Sequence, residues 1–159
     1  MKTLWKPAAL ACAAVLAAQG AMAEMMAPTA DELAAWSQAY AAIGGMEPKW
    51  AVQGADAFKA SSDAGVPVVY LDVRTKAEWE KGIVEGAVKA TLTELATADG
   101  MAMLPDNKTA IIAVYCKSGH RSALAIPLLH RLGYVNAISM KGGYEGWVGA
   151  GYPIEGGTQ

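Results

Sequence analysis

Two apolar, β-branched runs, residues 66–73 and 110–115, constrain this chain more than any other feature. Each is apolar at consecutive rather than alternate positions. Such a strand must be covered on both sides, which is the situation of a parallel strand inside an α/β sheet. The segments between and around them alternate in kind. Ala51-Val52 reads as a short first strand, residues 55–62 as a helix and Ala87-Val88 as a brief strand. Residues 122–132 read as a helix closed by Gly133, and 137–140 as the last strand. Gly142-Gly143 opens a final turn and helix around Trp147. This order predicts an α/β fold: one domain with a central parallel sheet of about five strands and helices on both faces. Three Thr-x-x-Glu segments, at 29–32, 75–78 and 91–94, have the form of capping boxes and predict helix starts. Turns are expected between Gly82 and Gly86, at Asp99-Gly100 and at Pro105-Asp106-Asn107. Pro127 lies inside the helix from 122 and is expected to bend it.

The N-terminal part reads differently. Lys2 and Lys6 precede a short apolar stretch, 8–18, and then Ala21-Met22-Ala23. This is the pattern of a secretory signal peptide over residues 1–23, cleaved before Glu24. The apolar stretch is about half of the roughly 20 residues that span a bilayer, so no stable membrane insertion is expected after cleavage. The expected location is outside the cytoplasm, in a bacterial periplasm. Residues 24–48 form a helical extension. Within it Leu33, Trp36, Tyr40 and Ile43 recur at helical spacing, and Gly44-Gly45 ends the helix. That stripe is expected to cover the following domain, residues 49–159; docking of a partner protein is the alternative.

Charge and cysteine content narrow the function classes. The formal net charge is −2, with 13 Lys+Arg and 15 Asp+Glu. Loss of Lys2 and Lys6 leaves eleven basic against fifteen acidic residues, a net charge of −4. No nucleic-acid partner is expected of such a balance. Two cysteines rule out a disulfide-rich scaffold and a four-cysteine zinc site. Two histidines and no Cys-x-x-Cys leave little to bind a metal, so neither a metal nor a cofactor is expected. Cys12 departs with the signal peptide, leaving Cys116 as the one cysteine of the exported chain. Cysteines in oxidising compartments usually pair, so a lone one is a packing residue, an intermolecular link or a reactive thiol.

Its surroundings favour the reactive thiol. Ligands of open α/β sheets bind beyond the carboxyl ends of the strands. Cys116 stands there, directly after the strand 110–115, and opens the loop Cys116-Lys117-Ser118-Gly119-His120-Arg121 ahead of Ser122. Backbone N–H groups of the loop, the following helix N-terminus and the charges of Lys117 and Arg121 all favour a thiolate. Gly119 lets the loop curl. Ser118, His120 and Ser122 are read as contributors of backbone N–H groups and loop shape. Asp72 and Arg74 end the neighbouring strand; they either line the pocket or form a salt bridge that braces the loop. Glu78 is read as a capping residue, and His130 as a surface residue.

The loop with Ser122 resembles the active-site loop of the rhodanese, or thiosulfate sulfurtransferase, family. Leu71-Asp72-Val73-Arg74 with Glu78 and Trp79 resembles the family's first motif. Gly82 to Ala87 resembles its glycine-bounded segment, with Val84 where a polar residue is more usual. Gly133-Tyr134 and Lys141-Gly142-Gly143 with Trp147 resemble its closing motif. The likeness spans residues 50–154. It implies a single rhodanese-like domain in which Cys116 takes sulfane sulfur from a small sulfur-containing anion and passes it to a thiol or cyanide. Lys117, Ser118, Gly119, His120, Arg121, Ser122, Asp72 and Arg74 are the expected substrate-binding residues. Under the same resemblance Arg121 can instead turn away and pair with a carboxylate. Phosphatases of this fold have five residues between Cys and Arg where this chain has four, so the shorter loop favours a sulfur-sized ligand. The alternative function is a non-catalytic binding or sulfur-carrier module.

Overall fold

A computed structural model describes residues 28–44 and 52–157. The chain divides into two compact units, Met1–Met46 and Glu47–Gln159. Of the first, helix α1 (Ala30–Gly44) is described. Its capping box is formed: Glu32 Oε2 accepts from the Thr29 backbone N–H at 2.7 Å, and the Glu32 N–H donates back to Thr29 Oγ1 at 3.2 Å. The signal sequence at 1–23 and the side chains of Trp36, Tyr40 and Ile43 lie outside the described residues. No described helix is long and apolar enough to cross a membrane.

The second unit alternates strand and helix from β1 (Val52–Gly54) and α2 (Ala55–Asp63) onward. There follow β2 (Val68–Asp72), α3 (Lys76–Trp79), β3 (Ile83–Val84), β4 (Val88–Lys89), a 3-10 turn at Glu94–Ala96 and α4 (Ala98–Ala102). The chain closes with β5 (Ile111–Tyr115), α5 (His120–Arg131), β6 (Ala137–Lys141), α6 (Gly143–Gly149) and β7 (Ile154–Glu155). The main sheet has five strands in the order β1-β6-β5-β2-β4, with every pair parallel. The two strong runs lie side by side near its centre, Val68 opposite Ile111 through Asp72 opposite Tyr115.

Their unbroken apolarity has the expected cause. Leu71, Ile112 and Val114 face one way and pack with Ala125, Ile126 and Leu129 of α5. Tyr70, Ala113 and Tyr115 face the other way, against Phe58 of α2 and Trp147 of α6. Both faces of the sheet are therefore cores, as parallel strands require.

Several elements depart from the sequence reading. Asp99-Gly100 is not a turn but lies within α4, whose start is capped by Thr97 Oγ1 accepting from Gly100 N–H at 3.2 Å. Glycine there reflects contact rather than bending: a Cβ would come within 1.9 Å of the Glu94 carbonyl oxygen. The segment between Gly82 and Gly86 holds β3, paired antiparallel with β7, about seventy residues on. The helix after the loop begins at His120, two residues early, and runs without a break through Pro127. Ala123, whose carbonyl loses its usual partner to that proline, is exposed, so water can satisfy it. His130 is half-buried rather than on the surface, its Nε2 2.9 Å from the Ala137 carbonyl oxygen.

Candidate active site

Tyr115 ends the central strand with its side chain in the core, and the next residue, Cys116, is 1% exposed at the carboxyl end of the sheet. The chain then folds back over the sulfur. Gly119 adopts φ 112°, a left-handed conformation that glycine enters without steric cost, and its N–H points to Cys116 Sγ at 3.2 Å. Burial alone would raise the thiol's pKa. The backbone N–H groups of Ser122, Gly119, Ser118 and Arg121 act against it, and the net effect is a thiol below its ordinary range. The N-terminus of α5, a helix of 12 residues, adds its positive end to the same point.

The loop is held from below. The backbone N–H groups of Tyr144 and Glu145 donate to the carbonyls of Cys116 and Lys117 at 2.8 and 3.0 Å. Gly143 makes this approach possible, since a Cβ on it would lie 2.3 Å from the Cys116 carbonyl oxygen. With the Cys116 and Lys117 carbonyls taken by α6, the Gly119 N–H is left to face the sulfur. Ser122 Oγ lies 2.9 Å from the Gly119 carbonyl oxygen, 2.8 Å from Ser139 Oγ and 3.9 Å from Cys116 Sγ.

The charged residues separate into two groups. Arg121 gives its guanidinium to Glu78, Nη1 to Oε2 at 2.8 Å and Nη2 to Oε1 at 2.7 Å. Glu78 also accepts from the Thr75 N–H, so it is both cap and partner, and Arg121 holds its carboxyl down at about 2. Arg74 is buried, with Nη2 2.7 Å from Asp72 Oδ2 and 2.7 Å from the Gly82 carbonyl oxygen. Its guanidinium lies 3.9 Å from the Tyr144 ring centre, directly behind the residue that holds the loop. Asp72 and Arg74 thus form the salt bridge that was one of their two expected placements. Lys117, Ser118 and His120 are exposed; Lys117 Nζ is 3.4 Å from Glu145, and Ser118 Oγ is 3.1 Å from His120 Nδ1. Surface hollows of about 330 Å³ beside Tyr70 and about 910 Å³ beside Trp79 lie elsewhere, and Cys116 lines neither. Among the described residues no group of three His, Cys, Asp or Glu is placed to hold a metal ion.

Residues 54–150 match the Rhodanese-like domain family. The chain belongs to the rhodanese family. Over 85 residues, 54% of its length, it is 33% identical to the probable adenylyltransferase/sulfurtransferase MoeZ of Mycobacterium tuberculosis, of which it spans 21%. It is 31% identical over 87 residues to a sulfurtransferase of Allochromatium vinosum, covering 55% of this chain and 78% of that one. Among solved structures, a rhodanese-like domain protein from Staphylococcus aureus aligns with TM-score 0.56 and 26% identity, covering 67% of this chain and 97% of that one.

The sequence reading of this rhodanese domain missed the contribution of α6 to the site. It took Gly142-Gly143 as the opening of a final turn and helix around Trp147, which is where α6 lies, but did not bring that helix to the loop. The sign it passed over is the adjacency of two glycines, which marks a place where backbone meets backbone. Ser139 gave no sign, because a serine within a strand is unremarkable until its neighbour across the sheet is known.

Proposed function

We propose that this rhodanese domain moves sulfane sulfur from a small anionic donor such as thiosulfate to a thiol or cyanide acceptor, through a persulfide on Cys116. The observation that carries the reading is a buried Cys116 sulfur at a strand end, with the Gly119 N–H 3.2 Å from it and the N-terminus of α5 in the same loop. Those donors stabilise the thiolate that attacks. In the first step the thiolate attacks the outer sulfur of thiosulfate. A new S–S bond forms, the old one breaks, and sulfite leaves with the electron pair. The charge then rests on the outer sulfur of the persulfide, which the same N–H groups are placed to stabilise. In the second step the acceptor attacks that sulfur, and the Cys116 thiolate returns with the pair of the broken bond.

The relatives named as sulfurtransferases support this chemistry. The state of Arg121 supports it over phosphate transfer. A phosphate cradle of this kind wants a guanidinium fork facing the anion, and here both terminal nitrogens are engaged with Glu78. The export expected from residues 1–23 is part of the same proposal.

Intact mass of the purified protein, before and after thiosulfate and then after a reductant, tests the reading. The expected result is a gain of about one sulfur atom, reversed by the reductant and absent in Cys116→Ser. No gain with Cys116 free and alkylatable overturns it. Loading without release to cyanide would identify a carrier rather than an enzyme. The unloaded mass reports whether the chain is cleaved before Glu24.

A further inference from the structure

Ser122 has one hydroxyl proton and three polar neighbours. The Gly119 carbonyl oxygen at 2.9 Å only accepts. A Cys116 thiolate at 3.9 Å also only accepts. Ser139 Oγ, at 2.8 Å, can do either. Ser122 is fully buried and Ser139 is 3% exposed, so water is not at hand to settle the matter. Among the described residues the Ser139 hydroxyl makes no other hydrogen bond. A buried hydroxyl does not leave its proton unused when an acceptor lies in reach. The Ser139 proton therefore goes to Ser122 Oγ. The Ser122 proton is then excluded from the Ser139 side and belongs to the loop, either on Gly119 or, by rotation of the hydroxyl alone, on sulfur.

We propose that Ser139 is a positioning residue for Cys116: by donating to Ser122 Oγ it commits the one proton of Ser122 to the loop and to the sulfur charge. The inference rests on the reading of Cys116 as a nucleophile. Ser139 sits on β6, opposite Val114 of β5, so the sheet itself fixes the donor. A chain of two hydroxyls polarises in one direction, and the terminal donor is the stronger for it. The charged groups on the elements around the loop are otherwise engaged. Arg121 pairs with Glu78, Lys117 with Glu145 and Arg74 with Asp72, while His120 meets Ser118. None of them bonds to Ser139.

The test is the pH midpoint of Cys116 alkylation by iodoacetamide, followed on the peptide that carries Cys116. Ser139→Ala is expected to raise the midpoint by about 0.5 pH unit, a fraction of what one hydrogen bond to the charged form is worth. Ser139→Thr and Ser139→Val have the same shape and differ in the hydroxyl, so comparing them removes packing from the answer. The Thr variant should keep the wild-type midpoint and the Val variant should move as Ala does. In a Ser122→Ala background, Ser139→Ala should add nothing. An unmoved midpoint in Ser139→Ala overturns the proposal, as does an equal shift in Thr and Val, or a full shift on top of Ser122→Ala. Sulfur loading is scored separately by mass. Midpoints that move as stated in a protein that gains no sulfur would sink the transfer reading and leave Ser139 in place. The reverse pattern would sink Ser139 alone.

Discussion

At the scale of single residues, Asp72 and Arg74 show how this site spends charge on support rather than on contact. Asp72 is wholly buried and Arg74 is 3% exposed. Burial works against the Arg74 charge, and Asp72 outweighs it. A pair out of water is held by its completeness, so removing one partner is costly. Asp72→Asn is expected to destabilise the domain by about 3–5 kcal/mol, read as a lower urea midpoint with unchanged slope. The loss should be accompanied by a loosened loop, because Arg74 lies against the Tyr144 ring and Tyr144 holds Cys116. Slower loading of Cys116 with sulfur in the folded variant would show it. The identity of these two residues was plain from the sequence, but the choice between pocket and brace was not. Both placements put a charged pair at a strand end, and only burial tells them apart.

At the scale of elements, the active-site loop is a joint product of β5, α5 and α6. The sequence made the first two legible. A continuous apolar run, then a cysteine, then a glycine ahead of a helical pattern, describes strand, loop and helix in order. The third was read as a helix around Trp147 but not as part of the loop, because the contact is between backbones and its one trace is the pair of glycines at 142–143. The same limit explains β3 and β7, two-residue strands whose only signal is each other. By contrast, all three capping boxes are formed, since their geometry is local. Gly143→Ala tests the role of α6. The residue has φ 55°, and its new methyl would meet the Cys116 carbonyl. About 2–3 kcal/mol of stability should be lost. The thiol should titrate nearer its ordinary range, because a displaced loop no longer gathers its N–H groups. A thermal melt and the alkylation midpoint check the two parts.

At the scale of the whole domain, acid should be the condition that reveals how its segments are tied by ion pairs. Glu78 titrates at about 2 in the fold, held by Arg121 and by its own cap, against 4.5 for an ordinary glutamate. The unfolded chain therefore binds more protons than the native one between these values. The stability this gives is complete above about pH 4.5 and is lost as pH falls toward 2. Glu94 titrates at about 2 as well, through Lys76 and the Thr91 cap, and falls in the same window. Urea midpoints should be nearly level between pH 7 and pH 5.5 and clearly lower at pH 3. Glu78→Gln should start about 1–2 kcal/mol lower at pH 7 and decline less steeply, since its partly exposed pair is gone.

The depth of Cys116 has one more consequence. A sulfur sunk beneath its own loop offers little purchase to a bulky disulfide or an oxidant diffusing past. In the proposed persulfide a second sulfur would lie about 2 Å from the first. Under that proposal an acceptor would meet the cargo and not the hand that carries it.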